Sequence, residues 1–206
     1  MKPLRGKVER RGKEKRKRNP IVLYAVEGKN KTESLYLKNF NRRGRPQIIK
    51  ADGNETDPVK MMGQLAKQAA KLGLSVRLGD KAYCIFDTDT DRLRQAQIDA
   101  ALMKQTELLK VIASAPCVEE WFLCHFRYST KYLTSDDAID ELKRYIPEYT
   151  KNSDIFKQIE NKTEQAIERA RHLEQFHDDQ RRRKHSVDRN PSTDMYQVIE
   201  YIMGIS

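Results

Sequence analysis

The stretch IVLYAVEGKNKTE, Ile21 to Glu33, decides the fold by changing character half-way. Ile21 to Val26 is apolar throughout apart from the adaptable Tyr24, as expected of a strand covered on both faces. It stops at Glu27 and Gly28, and a helix-like segment follows from Lys31 to Phe40, with Leu35, Tyr36 and Phe40 on one face, Asn30 placed to cap it and Gly44 to end it. A second stretch, CIFDTDTD from Cys84 to Asp91, has the same shape, a hydrophobic run that ends in acid. Working outward, Gln47 to Ala51, Lys81 to Phe86 and Leu108 to Ala113 read as further strands. Between them Asp57-Pro58 opens a helix in cap-then-proline order, with Met61, Met62, Leu65, Ala69 and Leu72 as its face and Gly73 at its end, and Leu93 to Gln105 forms another. Strands alternating with helices over such short spans predict an α/β fold with an open, mostly parallel sheet and flanking helices.

From about Phe126 the pattern is helical only: Asp136 to Tyr145, Asp154 to Phe176 and Thr193 to Ile202. Asp179 to Arg189 is polar and basic and reads as a mobile loop. The helical part is thin in large apolar groups, so it is expected to pack on the sheet. Three regions follow: a basic arm over 1–19, an α/β core over 20–126, and a helical region over 127–206.

The arm carries ten lysines and arginines against Glu9 and Glu14, which is +8 of the chain's net +10. With so few apolar residues it cannot offset its own ordering entropy, and it suits a polyanion, nucleic acid above all. Arg16, Lys17 and Arg18 close it. A second basic group, Arg181, Arg182, Arg183, Lys184 and Arg189, followed by Asn190, could hold a phosphate backbone, although such contacts carry no sequence specificity. No apolar run is long enough for a bilayer or a signal peptide, so the expected location is the cytoplasm. Cys84, Cys117 and Cys124 lack a CxxC spacing and read as reduced thiols, with Cys117 near the acidic residues.

In a parallel sheet the strands deliver their C-terminal ends to one edge, where ligands bind. Glu27 stands at that edge after the first strand, and Asp87, Asp89 and Asp91 stand there after the third. Residues two apart in extended chain point the same way, so Asp87 and Asp89 can converge, with Asp91 either a third ligand or a helix cap. Gly28 allows a sharp turn beside Glu27. Carboxylates gathered without a cation repel, and oxygen-only ligands suit Mg²⁺ or Mn²⁺. After the Leu108 strand come Glu119, a metal or water-holding candidate, and Glu120, which can complement a helix dipole. Trp121, Phe122 and Phe126 read as core, and His125 as a general acid, a phosphate contact or a packed histidine. Lys131 is a candidate partner for the scissile phosphate.

Four motifs together resemble the RloB family: EG-x-x-x-TE at Glu27 to Glu33, DTDTD at Asp87 to Asp91, PC-x-E-x-W-x-x-x-HF at Pro116 to Phe126, and NPST at Asn190 to Thr193. The family consists of Toprim-fold proteins encoded near bacterial restriction and phage-defence loci. The resemblance implies a Toprim-like nuclease core in which Glu27 is acid/base or metal ligand, Asp87 and Asp89 hold Mg²⁺, and Glu119 matches the glutamate ahead of the tryptophan. It implies antiviral defence, with RNA, tRNA included, or DNA as substrate. The chain has no P-loop ATPase, so nucleotide-driven control would need a partner ATPase or another defence-system protein. Two other readings stand beside a nuclease: a non-catalytic nucleic-acid-binding or regulatory subunit, and a site for a nucleotide or small phosphate ester.

Overall fold

The computed structural model describes residues 18–27, 32–42, 45–89 and 94–204. Among them five strands form one sheet: β1 Ile21–Val26, β2 Gln47–Lys50, β3 Lys81–Asp87, β4 Leu109–Ala115 and β5 Ser192–Thr193. The order is β2-β1-β3-β4-β5, parallel except for β5, which runs antiparallel to β4. The helices are α1 Thr32–Lys38, α2 Pro58–Lys71, α3 Gln95–Leu102, α4 Glu119–Cys124, α5 Ser135–Tyr145, α6 Phe156–Ile159, α7 Thr163–Asp179 and α8 Met195–Met203.

The strands read as continuous apolar runs because each face of the sheet has its own core. Val22, Tyr24 and Val26 of β1, with Tyr83 and Ile85 of β3, face one core; Leu23, with Ala82, Cys84 and Phe86, faces the other. The second core is closed by Met61, Met62, Leu65 and Ala69 of α2 and by Ile98 and Ala101 of α3. The first takes in α1, α4 and the whole helical region, including Leu142, Ile159, Leu173, Val198 and Ile202. Each of these fully buried side chains contributes about 2 kcal/mol, so the helical region is built into the sheet's own core. The α2 start is as its sequence predicts: Asp57 accepts from the Lys60 amide at 2.8 Å, and Gly73 beyond the end has φ +63°. Leu72 departs from the predicted face and lies exposed.

Several expectations are corrected. Residues 127–206 are not purely helical: Ser192 and Thr193 form β5 opposite Ala115 and Ser114, which also carries β4 past its predicted end. The predicted helix from Asp154 to Phe176 is divided into α6, a 3-10 turn at Glu160–Lys162, and α7, with the Thr163 hydroxyl donating to the Glu160 carbonyl at 2.9 Å. The loop after α7 is tethered rather than loose. Gln95 donates to the His185 carbonyl and accepts from the Val187 amide, Arg183 pairs with Asp99, and Arg189 pairs with Asp178. Two side chains occupy amides of β4: Gln105 accepts from Val111 at 2.9 Å and Asp194 from Ala113 at 3.2 Å. Satisfied in this way, β4 is a poor template for a further strand beyond the short β5. No helix among the described residues is long and apolar enough to cross a membrane.

Candidate metal and nucleic-acid site

Glu27 follows β1, Asp87 ends β3, and Glu119 opens α4 just beyond β4, so the parallel strands bring all three to one edge. The β3 and β4 exits are bonded together: the Thr88 amide donates to the Ser114 carbonyl at 2.8 Å and the Asp89 amide to the Pro116 carbonyl at 3.0 Å. Asp89 has φ +50°, so the chain has left the extended conformation there. The alternation that predicted Asp87 and Asp89 on one side does not operate; the turn places them within each other's field instead.

Asp87 senses the whole group. Its carboxyl is pushed well above the ordinary range, first by burial and then by the charges of Glu33, Glu119, Glu27 and Asp89. Glu33, on the first turn of α1 and 1% exposed, is pushed up to about 7 by burial, with Glu119 and Glu27 adding to the rise. Glu119, 2% exposed, accepts a 2.8 Å hydrogen bond from the Tyr149 hydroxyl. The Cys117 thiol is driven up by burial and then by Glu119 and Asp87, which places it beside the acids. Five carboxylates therefore share one neighbourhood.

A guanidinium is bonded to two of them. Arg94, immediately ahead of α3, donates from Nη2 to Glu27 Oε2 at 2.6 Å and from Nη1 to Asp89 Oδ2 at 3.0 Å. Burial opposes the Arg94 charge, and the bond to Glu27, followed by the fields of Glu27, Asp89 and Asp87, outweighs it. Among the described residues no three His, Cys, Asp or Glu side chains stand close enough to hold a metal ion as arranged. The donor set nevertheless fits a hard divalent cation, because it is all oxygen and two of its members already share one positive group.

The other predicted residues fall elsewhere. His125 is 1% exposed, packs edge-on to Trp121 and Tyr36, and is lowered to about 4 by burial, so it is held neutral inside the first core. Trp121 is fully buried, as expected of core. Lys131 is exposed on the segment before α5, where its charge helps lower the Asp137 carboxyl after the larger effect of Thr134 hydrogen bonds. Glu120 does more than complement a helix dipole; it is fully buried and faces Arg127.

Of the basic residues, Arg18 is bound into the fold. It makes a bidentate pair with buried Asp80 at 2.7 and 2.6 Å, and Asp80 also accepts from the Ile21 and Ser75 amides. Burial alone would raise the Asp80 carboxyl; Arg18 and the two amides hold it below its ordinary range. Lys184 pairs with Glu174, as Arg183 and Arg189 pair with their aspartates, and Arg182 meets His177 at 3.0 Å. Arg181 is exposed. Asn190 spends its amide on the Leu133 backbone, accepting at 3.1 Å and donating at 2.7 Å, which is a structural role. Gly28, Asp91, Arg16 and Lys17 lie outside the described residues. A concavity of about 600 Å³ along α7 is lined by none of the edge carboxylates.

The model of the RloB-like protein family matches residues 22–202, from β1 into α8. The chain belongs to the RloB-like family. The match takes in the edge carboxylates, Arg94 and the helical region that supplies Tyr149. No curated protein and no solved structure matches the chain. Sequence reasoning missed Arg94, Tyr149 and Glu33 as members of the site. Glu33 had a signal in the TE of the first motif, whereas Arg94 and Tyr149 had none in spacing or periodicity.

Proposed function

We propose that this RloB-like protein is a divalent-metal-dependent phosphodiesterase acting on nucleic acid, with a Toprim-like site and a role in bacterial antiviral defence. One observation carries the reading: carboxylates from separate strand ends crowd together until Asp87 is driven toward its protonated form. Such crowding opposes folding and is relieved by a cation. Glu27, Asp87 and Asp89 would hold Mg²⁺ or Mn²⁺, with Glu119 and Glu33 alongside. When bound, the ion polarises a phosphodiester and helps activate water. The chain's own part is positional: Tyr149 fixes Glu119, the β3–β4 exit bonds fix Asp87 and Asp89, and the basic arm and Arg181 attract a phosphate backbone.

The test is cleavage of DNA, structured RNA and tRNA by the full chain with Mg²⁺ or Mn²⁺, beside Glu27→Ala. Metal-dependent cleavage lost in a folded variant is expected. A folded wild type that cleaves none of the three overturns the reading. A second reading, a non-catalytic nucleic-acid-binding subunit working with a partner ATPase or other defence protein, draws on the pairing of Glu27 and Asp89 with Arg94. Under it, neutralising the lysines and arginines among residues 2–17 abolishes activity in the cell while Glu27→Ala leaves it intact. Arg18 is spared in that design because it holds Asp80.

A further inference from the structure

Arg94 bridges two of the acids proposed to hold the cation. Its guanidinium joins Glu27 on the β1 exit to Asp89 on the β3 exit, two of the three carboxylates assigned to the metal. The side chain is 15% exposed, so the pair is shielded from solvent and screened less by salt than a surface pair. Glu27 is 22% and Asp89 47% exposed, which leaves both open to exchange with an ion from solvent. The fit of Arg94 to this position is incomplete. Its Nε–H is buried and has no hydrogen-bond partner, while both terminal nitrogens are engaged. A guanidinium has five donors in a fixed fork, and carboxylates or phosphates satisfy it best when they take adjacent donors. Here it reaches across two separate acids.

Charge makes the same point. Among the described residues Arg94 is bonded to two of the five acids, Glu27 and Asp89, and Lys50 acts on Glu33 through its charge. A divalent ion is a better counter-charge and would compete with Arg94 for Glu27 and Asp89, each of which already gives one oxygen to the guanidinium.

We propose that Arg94 is an internal latch on the carboxylate site, a positioning residue that holds Glu27 and Asp89 in the metal-free protein and must be exchanged for the divalent ion. In this account the arginine keeps the acids from flying apart before metal arrives, and it lowers apparent metal affinity by the fraction of molecules in which it is closed. The inference rests on the proposed metal reading and deepens it.

The test is calorimetric titration of the full-length protein with Mn²⁺ alone, in wild type, Arg94→Gln and Arg94→Lys, with thermal melting of each in metal-free buffer. Arg94→Gln is expected to bind Mn²⁺ about tenfold more tightly, the gain if nine molecules in ten are latched. It should also melt lower than wild type without metal and recover more on adding it. Arg94→Lys, which keeps the charge but not the fork, should fall between the two, and it answers the question if Arg94→Gln does not fold. A merely structural arginine would lower metal affinity when removed. Equal or weaker binding by the folded variants, with wild type binding normally, overturns the latch and leaves the metal site standing. No binding by any folded protein overturns the metal reading and the latch with it.

Discussion

Glu119 and Glu120 are neighbours on the first turn of α4, and they enter two clusters that handle negative charge in opposite ways. Glu120 is fully buried and faces Arg127, whose guanidinium also reaches Glu141 at 3.1 Å, so two acids share one cation. Glu119 turns to the sheet edge, where it lies with four other acids, of which Glu27 and Asp89 are bonded to Arg94. The first cluster is nearly balanced and ties α4 to α5. In the second, among the described residues, Glu27 and Asp89 are bonded to Arg94 while Asp87 and Glu119 have no ion pair. Both contain buried carboxylates with raised proton affinity, so that property alone does not separate a tether from a site. The pairing does: both acids of the first cluster are bonded to Arg127, whereas in the second only Glu27 and Asp89 are bonded to Arg94.

The largest effect should come from breaking the balanced cluster. Arg127→Met leaves Glu120 buried beside Glu141 without a cation, and the expected cost in urea denaturation is about 3–5 kcal/mol. A cost under about 1 kcal/mol would show that the two clusters do not differ in the way described.

Next is the pH response of the first core, where His125 packs against Trp121 and Tyr36. His125 is held neutral, with a folded value of about 4 against an ordinary 6.5. The unfolded chain takes up its proton first, so this contribution is fully present above about pH 6.5 and is lost as pH falls toward 4. It amounts to about 3 kcal/mol. Glu120 and Glu33, each raised to about 7, act in the opposite sense, losing stability as pH rises from about 4.5 to 7. His125→Gln should therefore flatten the acid side of the stability profile relative to wild type. An unchanged profile would mean that the ring is not protonated on unfolding in that window.

The smallest effect sharpens the comparison at the acidic edge. Asp87→Asn removes one of five crowded charges and should stabilise the metal-free protein by about 1 kcal/mol. The same substitution in a balanced cluster would destabilise. A loss of stability would place Asp87 among structurally compensated acids.

Much of this architecture is legible in the sequence where the physics is local. β1 and β3 are continuous apolar runs because both faces are covered, and their acidic ends follow from parallel delivery to one edge. The α2 cap is a local bond between Asp57 and Lys60. What is hidden depends on partners far along the chain. Arg94 meets Glu27 across 67 positions, and Arg18 is singled out from its basic run only by Asp80, 62 positions away. β5 has two residues, too few for any periodicity, and exists by pairing with Ser114 and Ala115. The loop after α7 looks loose from its composition, yet Gln95 and Asp99 of α3 satisfy its polar groups.

The role proposed for the carboxylates at the sheet edge is to hold a divalent ion. Its most direct test is calorimetry with Mn²⁺ and Mg²⁺ on wild type and on an Asp87→Asn, Asp89→Asn double variant, with folding checked by circular dichroism. Binding by wild type that disappears in the folded double variant is the predicted result. Equal binding by both proteins, or none by either, would contradict the account and leave the acids without a cation to explain them.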